Sequence, residues 1–188
     1  MNPRPPKTRV SYDLPATIKS IQAGWLATFQ SAAIISALLV VTESVLLAFF
    51  RNLSPSKLNP ESAGGTALAV FTYLGWFFGT SATFSSLLLT DEFGEIHVRA
   101  SQRESMLEPL DNMVIHEDVS SLLKRYGARR ITKPVIWHWF AMLVFSFFCL
   151  IGQLLVYIWV TERRPVAIGM SFVAGFVLLP ILSLVPSK

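Results

Sequence analysis

Four stretches of this chain contain no Asp, Glu, Lys or Arg: 20–42, 62–90, 134–161 and 165–187, of 23, 29, 28 and 23 residues. A helix needs about 20 predominantly apolar residues to cross the hydrocarbon core of a bilayer, and hydrophobic runs of that length have few uses in a water-soluble domain. Charged residues make up 15% of the 188-residue chain, against about a quarter in average soluble domains. The deficit therefore reflects the four silent stretches, and it excludes a soluble globular domain, a disordered chain, a collagen-like chain and a nucleic-acid-binding domain. A sequence pI near 9.5 then reads as Lys and Arg flanking membrane spans rather than as a nucleic-acid footprint.

The runs resolve into four expected spans, at 24–50, 66–90, 135–160 and 166–185, within a single membrane domain at 24–185. The fold class that follows is all-α: an integral-membrane, antiparallel four-helix bundle. A proline-rich cytosolic arm at 1–23 precedes it and a short tail at 186–188 follows. Arg4, Lys7, Arg9 and Lys19 precede a first run too long for a cleavable signal peptide, so a retained signal anchor is expected. Pro55, Pro60, Gly64 and Gly65 mark the turn between spans 1 and 2. Trp137 and Trp139 at the start of span 3, and Tyr157 and Trp159 at its end, suit an interfacial aromatic belt. Pro180 predicts a kink or an early end in span 4.

Orientation follows from Lys and Arg alone. The arm has four, the 51–65 loop two, the 91–134 loop seven, the 161–165 loop two and the tail one. One side therefore has twelve and the other four, and the positive-inside rule places both termini and the 91–134 loop in the cytosol. In that loop Ile115, Val119, Leu122 and Tyr126 recur at helical spacing, between a capping Asp111 or Asn112 and Gly127. They predict a cytosolic amphipathic helix at 112–126, facing the bundle, the inner leaflet or a partner.

Glu43 is the only acid inside an expected span. An isolated acid near the bilayer centre costs on the order of 3 kcal/mol by insertion scales, so it faces the bundle or water. Glu43 lies about five residues, or about 7 Å, beyond the middle of span 1, and Gln153 lies about as far beyond the middle of the parallel span 3. The matched depth predicts an intramembrane polar pair. As structure it is an interhelical hydrogen bond; as function it is a proton or cation site. Gly75-x-x-x-Gly79, continued by Ala82, Thr83 and Ser86, is a small-residue face for close helix packing, within the bundle or between two copies. Ala167, Ser171 and Gly175 form a weaker version in span 4.

Asp91, Glu92, Glu95 and His97 follow span 2 without the spacing of a calcium or zinc site, and read as a solvated acidic boundary. Cys149 is the sole cysteine, so no intramolecular disulfide and no thiolate metal site is expected. No nucleophile-and-base arrangement, glycine-rich phosphate loop or haem ligand pair is present, so no catalytic residue, metal or cofactor is assigned. A four-span layout with Thr90-Asp91-Glu92-Phe93-Gly94-Glu95 after span 2 and Trp137-His138-Trp139 opening span 3 resembles uncharacterised small four-span membrane proteins of mushroom-forming fungi. The resemblance implies a eukaryotic membrane protein and no activity. The expected function is a non-enzymatic multi-pass protein, acting as an interaction, organising or accessory component. The alternative is a small oligomeric transporter or channel using Glu43. The expected partners are the lipid bilayer, proteins docking on the 91–134 loop and a second copy of the chain, with no nucleic acid.

Overall fold

A computed structural model of the chain describes residues 15–52, 62–103, 129 and 131–183. These form five helices and, among the described residues, no strand: α1 (Ala16–Arg51), α2 (Ala63–Gly94), α3 (Ile96–Arg103), α4 (Thr132–Thr161) and α5 (Arg164–Ser183). Three helical stretches are long and apolar enough to cross a membrane, Ala16–Arg51, Ala63–Gln102 and Thr132–Thr161, and Arg164–Leu179 is a shorter apolar helix. The amphipathic helix expected at 112–126, with Ile115, Val119, Leu122 and Tyr126, lies outside the described residues.

Several helix ends depart from the sequence reading; α2, for one, runs on to Gly94 rather than 90, and α3 follows it within the stretch expected to be loop. The arm expected up to residue 23 is helical from Ala16, because the Pro15 carbonyl accepts from Lys19 N (3.0 Å) and opens the first turn. α2 starts at Ala63 rather than 66. Ser62 caps it, its Oγ accepting from Gly65 N (3.1 Å), so the two glycines expected to break structure lie in the first turn. α5 continues through Pro180 to Ser183, so the early end expected there does not occur.

The buried positions follow a 3-4 spacing. On α2 they include Gly65, Leu68, Thr72, Gly75, Gly79, Ala82, Ser86, Leu89 and Phe93, with Ser85 beside them, and the same rhythm reaches Ile96 and Ala100 on α3. On α1 they include Ile18, Gln22, Phe29, Ala32, Ser36 and Glu43. That spacing is the seam of left-handed knobs-into-holes packing. Many of the buried residues are small or polar, while large apolar side chains point outward, Phe172 at 77% and Phe176 at 75% exposure among them. A soluble monomer rarely carries so continuous an apolar surface. Exposed hydroxyls are satisfied within their own helix: Thr28, Thr42 and Ser44 donate to the carbonyls of Gly24, Leu38 and Val40 (2.8–2.9 Å). That is how a hydroxyl is accommodated where water is absent.

The helices divide into two units. The first takes α1 up to Ile35, α2 from Ala82, α3, and α4 up to Phe140; the second takes the rest, with all of α5. In the first, Trp25 stacks on Phe29 (5.3 Å between ring centroids), and Phe29 meets Phe93 (5.3 Å) and the edge of Trp139 (5.2 Å). Gln22 Nε2 donates to Phe93 O (2.6 Å), tying the first turns of α1 to the end of α2. Trp139, expected in an interfacial belt, is buried in this cluster, whereas Trp137 is exposed. Two residues along a helix turn the side chain by about 200°, so only one of the pair can face outward.

Candidate functional site

The second unit holds the polar pair expected from Glu43 and Gln153. Glu43 on α1 and Gln153 on α4 are both fully buried, and Gln153 Nε2 donates to Glu43 Oε2 (2.5 Å). Gln153 Oε1 lies 2.7 Å from Thr72 Oγ1 on α2, a hydroxyl that also stands 2.8 Å from the Leu68 carbonyl. The single Thr72 hydrogen is shared between these two acceptors or given to one. A donor hydroxyl on one side and a carboxylate acceptor on the other fix which end of the Gln153 amide points where. One residue from each of three helices thus meets in a single network.

Gly75 makes that meeting sterically feasible. A β-carbon there would stand 2.5 Å from Glu43 Oε1, 2.8 Å from its Cδ and 3.3 Å from Cys149 Cβ. The absent side chain is the space the carboxyl occupies. One turn on, a β-carbon at Gly79 would meet Val40 Cγ2 at 2.9 Å and Ser146 Oγ at 3.1 Å. Ser146 Oγ in turn donates to the Gly75 carbonyl (3.1 Å), bracing α4 on α2. Glu43 Oε1 has no hydrogen-bond partner.

The remaining small residues separate by position. Ala82 and Ser86 are buried on the α2 seam, Ser86 Oγ donating to the Ala82 carbonyl (2.9 Å), while Thr83 is half-buried to one side of it. In α5 Ala167 is buried, and Ser171 accepts from Trp159 Nε1 (3.0 Å) and donates to the Ala167 carbonyl (2.8 Å). Gly175, expected on the same packing face, is exposed, and a β-carbon there would have open space. Successive steps of four drift by about 40° each around the helix, and two of them turn Gly175 off the contact. A cleft of about 310 Å³ runs between α4 and α5, lined only by apolar side chains such as Leu155, Ile158, Met170 and Val173.

A second polar group, in the first unit, corrects the reading of the acidic stretch after span 2. Glu92 is not solvated: its side chain is 12% exposed and Oε1 accepts from Arg99 Nη1 (2.7 Å) and from the backbone N–H of Arg129 (2.9 Å). Thr132 Oγ1 is 3.4 Å from the same oxygen, Arg129 Nε is 3.7 Å from Oε2, and Arg99 also pairs with Glu95. Burial pushes the Glu92 carboxyl up, but the Arg99 and Arg129 hydrogen bonds and charges outweigh it and hold the group below its ordinary range. Glu92 thereby fastens the end of α2 to the start of α4. Asp91 and Glu95 are exposed and His97 is half-buried. Among the described residues no three His, Cys, Asp or Glu side chains group so as to hold a metal ion.

Sequence reasoning missed Thr72 and the junction role of Glu92. Thr72 had a signal: it continues the Gly75, Gly79, Ala82, Ser86 spacing backwards by three. No protein-family model, curated protein or solved structure matches the chain.

Proposed function

We propose that the chain is a four-span membrane protein with both termini and the 91–134 loop in the cytosol, acting without catalysis as an interaction, organising or accessory component. One observation supports this reading above the others. The polar groups of the second unit are directed at each other, Thr72 to Gln153 and Gln153 to Glu43, with glycine fitted to carboxyl. Such an arrangement locks helices together; a transport path needs polar groups that face a passage. The residues left to meet partners are then those of the loop side, and 91–134 is the longest polar segment available.

A second reading rests on a different observation. Glu43 Oε1 is buried without a partner, which is the property a proton or cation site in a small oligomeric transporter requires. The two readings separate in proteoliposomes: under the first, neither proton nor monovalent-cation flux depends on Glu43, and Glu43→Gln behaves as the unsubstituted chain. A flux abolished by Glu43→Gln overturns the first reading. Its positive test is purification from native membranes in mild detergent. Specific proteins co-purify with the full chain and are lost when residues 104–128 are replaced by a Gly/Ser linker; recovery of the chain alone contradicts the reading.

A further inference from the structure

The end of α4 nearest the 91–134 loop carries exposed donors that are little used among the described residues. Lys133 is exposed and makes no ion pair or hydrogen bond among the described residues. Trp137, four residues on and so on the same helix face, is 62% exposed. Arg129, just before the helix, is 66% exposed in its side chain. Its backbone is held by Glu92, while its guanidinium stands 3.7 Å from that carboxylate. Glu92, which also accepts from Arg99 at 2.7 Å, offsets part of the Arg129 charge through this longer contact and has no contact with Lys133 among the described residues. Ile131, at 62% exposure, adds an apolar contact beside the cations.

Interface donors elsewhere are treated differently. Trp159 gives its indole N–H to Ser171 (3.0 Å), and Arg51 gives a guanidinium N–H to the Tyr73 hydroxyl (2.8 Å). Arg129, Lys133 and Trp137 instead combine two cations with an exposed indole where the charge-free run 134–161 begins, the level at which phospholipid headgroups lie. An indole at that level packs on the glycerol and acyl region with its N–H toward the headgroups, and the cations reach phosphate or carboxylate oxygens.

We propose that Arg129, Lys133 and Trp137 form a binding site for the headgroup of an anionic phospholipid. The inference rests on the reading that places this end of the bundle at the cytosolic membrane surface, where anionic lipid is concentrated. Each cation near such a surface contributes about five-fold to affinity.

Native mass spectrometry of the full chain in detergent, titrated separately with dioleoyl phosphatidylserine and dioleoyl phosphatidylcholine, tests it. The first phosphatidylserine binds about ten-fold or more tightly than the first phosphatidylcholine. Arg129→Gln and Lys133→Gln each remove about five-fold of that preference, Trp137→Ala weakens retention of both lipids, and Arg163→Gln changes nothing. All four side chains are exposed, and circular dichroism verifies that helix content is kept. Equal affinity for the two lipids overturns the proposal, as does a preference that survives the Arg129→Gln/Lys133→Gln double variant or falls with Arg163→Gln. Loss of the preference in excess inorganic phosphate also overturns it, since the site then takes a soluble anion. Detergent has no sides, so a failure here leaves the topology untouched. Sidedness is measured separately, by labelling of introduced cysteines.

Discussion

Replacing Gly75 by Ala is the sharpest perturbation of the packing argument. The added methyl stands 2.5 Å from Glu43 Oε1 and 3.3 Å from Cys149 Cβ. The carboxyl lies at the end of a flexible side chain and can swing away, but doing so gives up the 2.5 Å bond from Gln153. The Cys149 β-carbon can move only with its backbone. Overpacking a well-filled interior costs about 1–3 kcal/mol, and an interhelical hydrogen bond in a membrane protein contributes about 0.6–2 kcal/mol. Gly75→Ala therefore destabilises the bundle by about 2–4 kcal/mol. Removing the obstructing carboxyl relieves it: in a Glu43→Ala background the same substitution costs about 1 kcal/mol or less, a coupling of about 1–3 kcal/mol within the range for residues in contact. The assay is reversible unfolding in mixed micelles with rising dodecyl sulfate, followed by tryptophan fluorescence, on the four members of the cycle. A cost below about 0.5 kcal/mol in the unsubstituted background, or an equal cost in both backgrounds, refutes the claim that Gly75 exists to seat Glu43.

The other contacts give further expectations. Glu43→Gln keeps a group able to bond Gln153 and loses little stability, whereas Glu43→Leu strands the Gln153 amide; Thr72→Val costs about 0.6–2 kcal/mol in the same unfolding assay. Equal behaviour of Glu43→Gln and Glu43→Leu would remove the hydrogen bond from the account. Gly79→Leu, aimed at Val40 and Ser146, abolishes the folded monomer on size exclusion, while Gly175→Leu, with open space around it, does not. Glu92 sets a pH dependence. Its folded carboxyl is held below the ordinary 4.5, so its contribution is complete above about pH 4.5 and is lost as pH falls through the lower folded value. Amide protection factors around 92–103 and 131–135 fall over that acid range, and in Glu92→Gln they are already low at pH 7 and do not change further with acid. Unchanged protection in Glu92→Gln contradicts the junction role.

The long apolar helices were legible because charge silence over more than 20 residues admits few structures. Glu43 and Gln153 were legible for a related reason: an acid in hydrocarbon demands a partner, and helix rise alone matches their depth. Thr72 was hidden because hydroxyl residues are common in apolar helices, where they bond their own backbone as Thr42 does. Only the 3-4 seam distinguishes Thr72, and it becomes visible when Gly65, Leu68 and Phe93 are read together with the glycines. Glu92 was hidden because its partners are two turns away on α3 and 37 residues away at Arg129, and nothing in the local sequence tells a paired acid from a solvated one. Trp139 was readable in principle, since it and Trp137 cannot share a face. The first turn of α2 was obscured by two glycines that normally break helices, although Ser62 is an ordinary cap.

The proposed topology is tested most directly by sidedness. In a Cys149→Ala chain, single cysteines introduced at Lys57, Asn112, Glu162 and Lys188 are exposed to a membrane-impermeant maleimide on sealed, right-side-out vesicles, before and after permeabilisation. The account predicts immediate labelling at 57 and 162, and labelling at 112 and 188 only after permeabilisation. Labelling of 57 and 162 from opposite sides, or of 112 and 188 from opposite sides, contradicts four spans.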